Sequence, residues 1–101
     1  MASVVNVPKD SLGWIVKPIA EKYNITAISI FGSRARGDNQ DDSDYDFLID
    51  VSDKYTFHDR IGFIDEMSAI LHCDVDVVTR RSLVDNDFSR ELLEQEVRIY
   101  G

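Results

Sequence analysis

With 101 residues, 44% of them hydrophobic and 10% aromatic, the chain has side chains for one core and too little length for a second independently folding unit. Its 11 lysines and arginines stand against 19 aspartates and glutamates, and the net charge of −8 opposes non-specific binding to nucleic acid or to an anionic membrane surface. A lone cysteine, Cys73, excludes a disulfide framework. With no secretory leader in MASVVNVPKD and no membrane-length apolar run, the expectation is a single cytoplasmic domain over residues 1–101.

Residues 1–8 read as an irregular lead. Asp10 or Ser11 is placed to cap a helix whose Leu12, Ile15, Val16, Ile19, Ala20 and Tyr23 recur at helical period, with Asn24 as its stop. Pro18 should kink or divide that helix, because its nitrogen cannot donate to the carbonyl four residues back. The β-branched apolar run Ile25 to Phe31 predicts a buried strand ended by Gly32-Ser33, and residues 38–43 a polar loop. Asp44 to Val51 predicts a second strand. Phe57 to Leu71 fits a helix with Ile61, Ile64, Met67, Ala69, Ile70 and Leu71 as its apolar positions. Cys73 to Thr79 predicts a third strand and Asp87 to about Arg98 a last helix. Three strands interleaved with helices make a small α/β sandwich. Trp14 and Tyr23 read as packing residues, His58 and His72 as surface or cap residues, and Arg80 and Arg81 as solvated or partner-facing.

Chemistry concentrates between Gly32 and Ile49. A glycine directly after a buried strand lets a ligand approach the backbone without a Cβ in the way. Ser33 adds a hydroxyl, and a helical turn starting there would add amide donors for an anion. Arg34 and Arg36 can supply charge-assisted bonds to the same phosphates, or merely offset nearby acids. Asp44 and Asp46 share one strand face, and carboxylates about 6–7 Å apart along the backbone can converge on divalent ions. A third carboxylate on a neighbouring strand would complete the set. Asp76, flanked by Val75 and Val77, is the candidate, and Asp74 has the same parity. Six of the 19 acids fall between Asp38 and Asp50; Asp38, Asp41 and Asp42 read as a solvated loop.

Competing motifs fail on particular residues. Gly32 to Gly37 has P-loop spacing, but Asp38-Asn39 stands where Lys and Ser or Thr are needed. Asp42-x-Asp44-x-Asp46 copies the start of a calcium loop, yet its sixth position is Phe47 and a strand follows at once.

Gly32-Ser33, ten residues, then Asp44-x-Asp46 resembles the signature of the DNA polymerase β-like nucleotidyltransferases. The stretches Phe31 to Gly37, Ser43 to Ile49 and Val75 to Thr79 resemble the minimal nucleotidyltransferase branch in particular. The resemblance runs from about residue 12 to the C-terminus and favours Asp76 over Asp74. It implies a small mixed β-sheet with helices packed on it. It also implies that Gly32, Ser33, Arg34 and Arg36 bind a nucleoside triphosphate such as ATP, while Asp44, Asp46 and Asp76 hold magnesium, as two ions, and activate an acceptor hydroxyl. That hydroxyl attacks the α-phosphate and pyrophosphate leaves. Small members of the branch are antitoxins that pair as hetero-oligomers with an all-helical HEPN-type toxin and place AMP on its tyrosine. The larger relatives carry a second domain for nucleic acid or antibiotic, absent from this sequence, so the acceptor is expected to bring its own surface. A domain that keeps the fold and neutralises a partner by binding alone is the alternative; three converging acids argue against it.

Overall fold

The computed structural model describes residues 9–40 and 42–101; the expected lead at 1–8, and Asp41 of the acidic loop, lie outside the described residues. Helix α1 (Lys9–Lys22) begins ahead of Asp10 and Ser11, so neither occupies the N-cap position, and it runs undivided through Pro18. Its stripe Leu12, Val16, Ile19 and Ala20 is buried, with positions four and three apart falling on one face. Asn24, in the left-handed region at φ 60°, ends the helix as expected and turns the chain into β1 (Ile25–Phe31).

Strand β1 is buried at every residue but Thr26, which demands ladder partners along both of its edges. One is β2 (Tyr45–Val51), antiparallel. The other is β4 (Val97–Tyr100), also antiparallel. Here the sequence reading was wrong: the last helix, α4 (Asp87–Gln95), stops at Gln95, and Glu96 turns the chain back as a strand. Strand β3 (Val75–Thr79) pairs with β2 in parallel, reached through helix α3 (Phe57–Leu71), and the sheet has four strands in the order β3-β2-β1-β4. The mixed α/β architecture was anticipated; the strand count was not.

Helix α3 opens on a reciprocal capping box. The Asp59 amide donates to Thr56 Oγ1 (3.3 Å) and the Thr56 amide to Asp59 Oδ2 (2.9 Å). His72 closes it in the left-handed conformation, a cap role. Its inward face is Phe63, Met67 and Leu71, four residues apart; Ile61, Ala69 and Ile70, expected among its apolar positions, are exposed. On that side of the sheet Ile28, Ile30, Tyr45, Phe47, Ile49, Val75 and Val77 pack against α1 and α3. Tyr23 packs too, its ring against Gly62 and its hydroxyl donating to Glu66 Oε1 (2.6 Å), and Lys22 also pairs with Glu66. Trp14, by contrast, is 79% exposed and no packing residue.

The opposite sheet face is only partly covered. Phe31 and Leu48 meet Leu92 of α4, with Val78 and Leu83 at the margin. Asn86 Oδ1 caps α4 by accepting from the Ser89 amide (2.8 Å). Arg80, in a 3-10 turn after β3 (Arg80–Ser82), is half-buried and held by acids of this chain. It grips Glu96 through both guanidinium arms (2.6 and 2.9 Å) and Asp50 through Nε (3.0 Å). Buried Ser29 donates to Glu96 Oε1 (2.8 Å) and accepts from Arg98 Nε (3.2 Å). This network ties β1, β2, the turn and β4 together on the open face. No helix among the described residues is long and apolar enough to cross a membrane.

Candidate active site

The half-covered face ends in a tight turn where β1 passes into α2, a single helical turn (Ser33–Arg36). Gly32 has φ 73° and ψ −156°, a backbone region essentially reserved for glycine. A Cβ here would stand 2.3 Å from Asp46 Oδ2. Two separate constraints thus fix glycine at this position, and both bring bare backbone against a carboxylate. The Ala35 and Arg36 amides donate back to the Gly32 carbonyl (both 3.1 Å), and Gly37 ends the turn in the left-handed region.

Strand parity places the acids. Tyr45 and Phe47 point into the core and stack with ring centroids 5.7 Å apart, so Asp46 points to the other face. In the parallel ladder Asp46 lies directly beside Asp76, as Tyr45 does beside Val75. That register puts Asp76, and not Asp74, beside Asp46. Asp74 precedes β3, and its carbonyl accepts from the Tyr45 amide (3.0 Å). Asp44 lies one residue before β2, exposed.

The Asp46 carboxyl is pushed above the usual carboxylate range, first by burial, then by the negative charges of Asp76 and Asp44; Arg36 opposes them in part. Acids crowded in this way, each with hard oxygen donors, make a donor set that suits magnesium. Among the described residues no three acidic, histidine or cysteine side chains form a closed cage; the carboxylates are ladder neighbours and not a preassembled ligand shell.

A cleft of about 550 Å³ opens over these residues. Gly32, Arg36, Asp46 and Asp76 line it, four of the positions singled out from sequence. Ser33 adjoins Gly32 as the first residue of α2. The two arginines part company. Arg36 stays at the cleft, paired with Asp38 (3.1 Å) and donating to Gln95 Oε1 (3.2 Å). Arg34 is only 7% exposed; its guanidinium lies 4.1 Å over the Tyr45 ring and donates to the Ser43 carbonyl (2.8 Å). Arg34 thus ties the acidic loop to the start of β2 and, unlike Arg36, is not among the residues that line the cleft. Asp38 of that loop is not merely solvated, since it meets Arg36.

The cleft also has walls that the sequence reading did not assign. Arg60 of α3 reaches round the edge of β3 and donates to the Val77 carbonyl (2.9 Å). Helix α4 contributes Phe88, Glu91, Leu92 and Gln95. The signal was there in their spacing of three, four and seven, which puts them on one helical face around buried Leu92.

Residues 15–101 match the model of the Polymerase beta, Nucleotidyltransferase family. A Methanocaldococcus jannaschii chain provisionally named a protein adenylyltransferase is 32% identical over 81 residues, 80% of this chain and 82% of that one. Protein adenylyltransferase MntA of Thermococcus cleftensis is 33% identical over 67 residues, 66% of this chain and 68% of that one. In fold, the chain superposes on a crystal structure described as a toxin-antitoxin with AMP-PNP, at a TM-score of 0.73 and 21% identity over 88% of this chain and 73% of that one. With the match spanning the Gly32-Ser33 turn and all of Asp44, Asp46 and Asp76, this chain belongs to the polymerase β nucleotidyltransferase family.

Proposed function

We propose that this chain is a magnesium-dependent protein adenylyltransferase, moving AMP from ATP onto a tyrosine hydroxyl of a HEPN-type toxin and acting as that toxin's antitoxin. The observation that carries the reading is the pairing of Asp46 with Asp76 in the ladder, at the point where Gly32 leaves bare backbone against Asp46. A metal-free binder has no use for a crowded, partly desolvated carboxylate whose charge its neighbours oppose. Relatives named protein adenylyltransferases, and the likeness in fold to a chain from a toxin-antitoxin structure, support the same reading.

Asp44, Asp46 and Asp76 would hold magnesium, which when bound neutralises phosphate charge and lowers the pKa of an acceptor hydroxyl. The chain's own residues then do the positioning. Gly32 and Ser33 receive the triphosphate tail at the opening of α2, and Arg36 offers its guanidinium to the same oxygens. Asp76, on edge strand β3, would favour loss of the acceptor hydroxyl's proton. The acidic surface, at a net charge of −8, suits a basic RNA-cleaving partner.

The test is to incubate the chain with ATP, magnesium and the product of its neighbouring gene, then weigh that product by mass spectrometry. Adenylate-sized additions that vanish with Asp44→Asn and Asp46→Asn are expected. An unmodified product that the same variants neutralise as well as wild type would overturn the enzymatic reading in favour of simple binding.

A further inference from the structure

The cleft is not uniform along its length. At one end stand Gly32 and Arg36, with Gln95 hydrogen-bonded to Arg36 (3.2 Å) and Glu91 accepting from Gln95 Nε2 (3.1 Å). Across the sheet from there come Asp46 on β2 and then Asp76 on edge strand β3. Phe88 stands seven residues before Gln95 on the same face of α4, about 10 Å away along the helix axis. The apolar side chains of the lining are Phe31, Val78 and Leu92 beside it. Phe31 and Leu92 of this lining are buried, whereas Phe88 is 58% exposed and holds its ring open to the cleft.

We propose that Phe88 is the platform on which the nucleobase of the triphosphate substrate stacks. The inference rests on the nucleotidyltransferase reading and adds a residue to it. If the phosphate tail lies on the Gly32 turn and the α-phosphate at the carboxylates, the nucleoside continues towards the far end of the cleft, where Phe88 waits. The acceptor belongs to another macromolecule and must enter from the solvent side, so the wall formed within this chain serves the small, tethered part of the substrate. Every base has a π-face, so an open phenyl ring suits this task without fixing which base is bound. An exposed phenylalanine also gains more from being covered than a polar residue would.

The experiment compares two probes by calorimetry on the full chain with magnesium: a non-transferable methylene analogue of ATP, and inorganic tripolyphosphate, which has the tail and no base. Phe88→Ala should weaken the ATP analogue by roughly 5- to 100-fold and leave tripolyphosphate within about twofold, while Phe88→Trp holds wild-type affinity for both. Phe88 is exposed, so both variants should melt with the wild type. Unchanged binding of the ATP analogue by Phe88→Ala, or an equal loss for tripolyphosphate, overturns the inference alone. A wild-type chain that binds neither probe overturns the nucleotidyltransferase reading and this inference with it.

Discussion

Replacing Gly32 with alanine separates what the turn does for the fold from what it does for the carboxylate. A non-glycine residue forced to φ 73°, ψ −156° carries a strain of about 1–3 kcal/mol. For a domain of this size each kcal/mol lowers the melting temperature by about 4–8 °C, so a fall on the order of 10 °C is expected. The new Cβ would also stand 2.3 Å from Asp46 Oδ2 and 3.2 Å from Cγ. That clash is relieved most cheaply by rotating the Asp46 side chain, because Phe47 and Leu48 beside it are buried and hold the strand. A reacting group misplaced by about 1 Å costs about a hundredfold in rate. Adenylate transfer measured well below the melting point should therefore drop by about that factor or more, with the circular dichroism of a folded chain. Gly37→Ala is the control: Gly37 also has positive φ, at 86°, but nothing stands within 4 Å of its Cβ position. It should lose stability by a comparable mechanism and keep its transfer rate. Wild-type activity in Gly32→Ala, or equal losses of activity in both variants, would refute the reasoning.

Other consequences follow from the charge pairs. Glu96→Gln leaves Arg80 with half its grip in a partly covered site and should cost roughly 1–3 kcal/mol at neutral pH, read by urea denaturation. Hydrogen bonds from Arg80, then from Ser29, hold the Glu96 carboxyl below its ordinary value against the opposing effect of burial. Its stabilisation is present above the unfolded carboxylate pKa and disappears as pH falls through the lower folded one, so Glu96→Gln should flatten the acid limb of stability against pH. Arg34→Lys keeps the charge but loses the fork on the Ser43 carbonyl and the plane over Tyr45; the melting temperature should fall by several degrees, with transfer largely retained once the chain is folded.

The parts of this fold legible in the sequence are those whose signal is local. The run Ile25 to Phe31 is apolar but for Thr26 and Ser29 and rich in β-branched residues, and Phe57 to Leu71 carries apolar residues at helical spacing, so β1 and α3 fall where the pattern put them. Strand β4 was lost because Val97 to Tyr100 is four residues long and follows a helix without a glycine or proline to stop it. What makes it a strand is tertiary: the outer edge of buried β1 needs a partner, and Glu96 is drawn off the helix by Ser29 and Arg80. That Asp46 faces away from the core was legible because strand parity is local, whereas its placement beside Asp76, and not Asp74, depends on the ladder register; Asp44, expected on the same strand face, lies just outside β2. Arg34 and Arg36 are two apart in a single helical turn and so must diverge, which sequence proximity alone conceals. The wall supplied by α4 depended on where that helix docks, which Leu92 decides by packing on Phe31 and Leu48.

Strand β2 carries the clearest statement of how the domain divides its charges. Asp46 and Asp50 are four residues apart on the same face, separated by buried Leu48. Asp50 is neutralised: Arg80 Nε lies 3.0 Å from it and an Arg98 nitrogen 3.9 Å. Asp46 is treated in the opposite way, beside Asp76 in the ladder and within reach of the charge of Asp44. A carboxyl raised above its unfolded value binds protons more readily in the folded chain, so its contribution to stability is best at pH below the unfolded value and declines as pH rises through the folded one. At pH 7 its ionisation is thus a cost that Asp46→Asn removes. Asp50→Asn, at the same pH, strips Arg80 and Arg98 of a charged partner. The two isosteric changes should move the melting temperature in opposite directions, Asp46→Asn upward and Asp50→Asn downward. Transfer should vanish in the first and persist in the second. Added magnesium should raise the melting temperature of the wild type and of Asp50→Asn, and have much less effect on Asp46→Asn, because a ligand stabilises only the form that binds it. If both variants melt lower, Asp46 is a stabilising residue like any other on the sheet, and the claim that this face reserves a destabilised carboxylate for a cation is wrong.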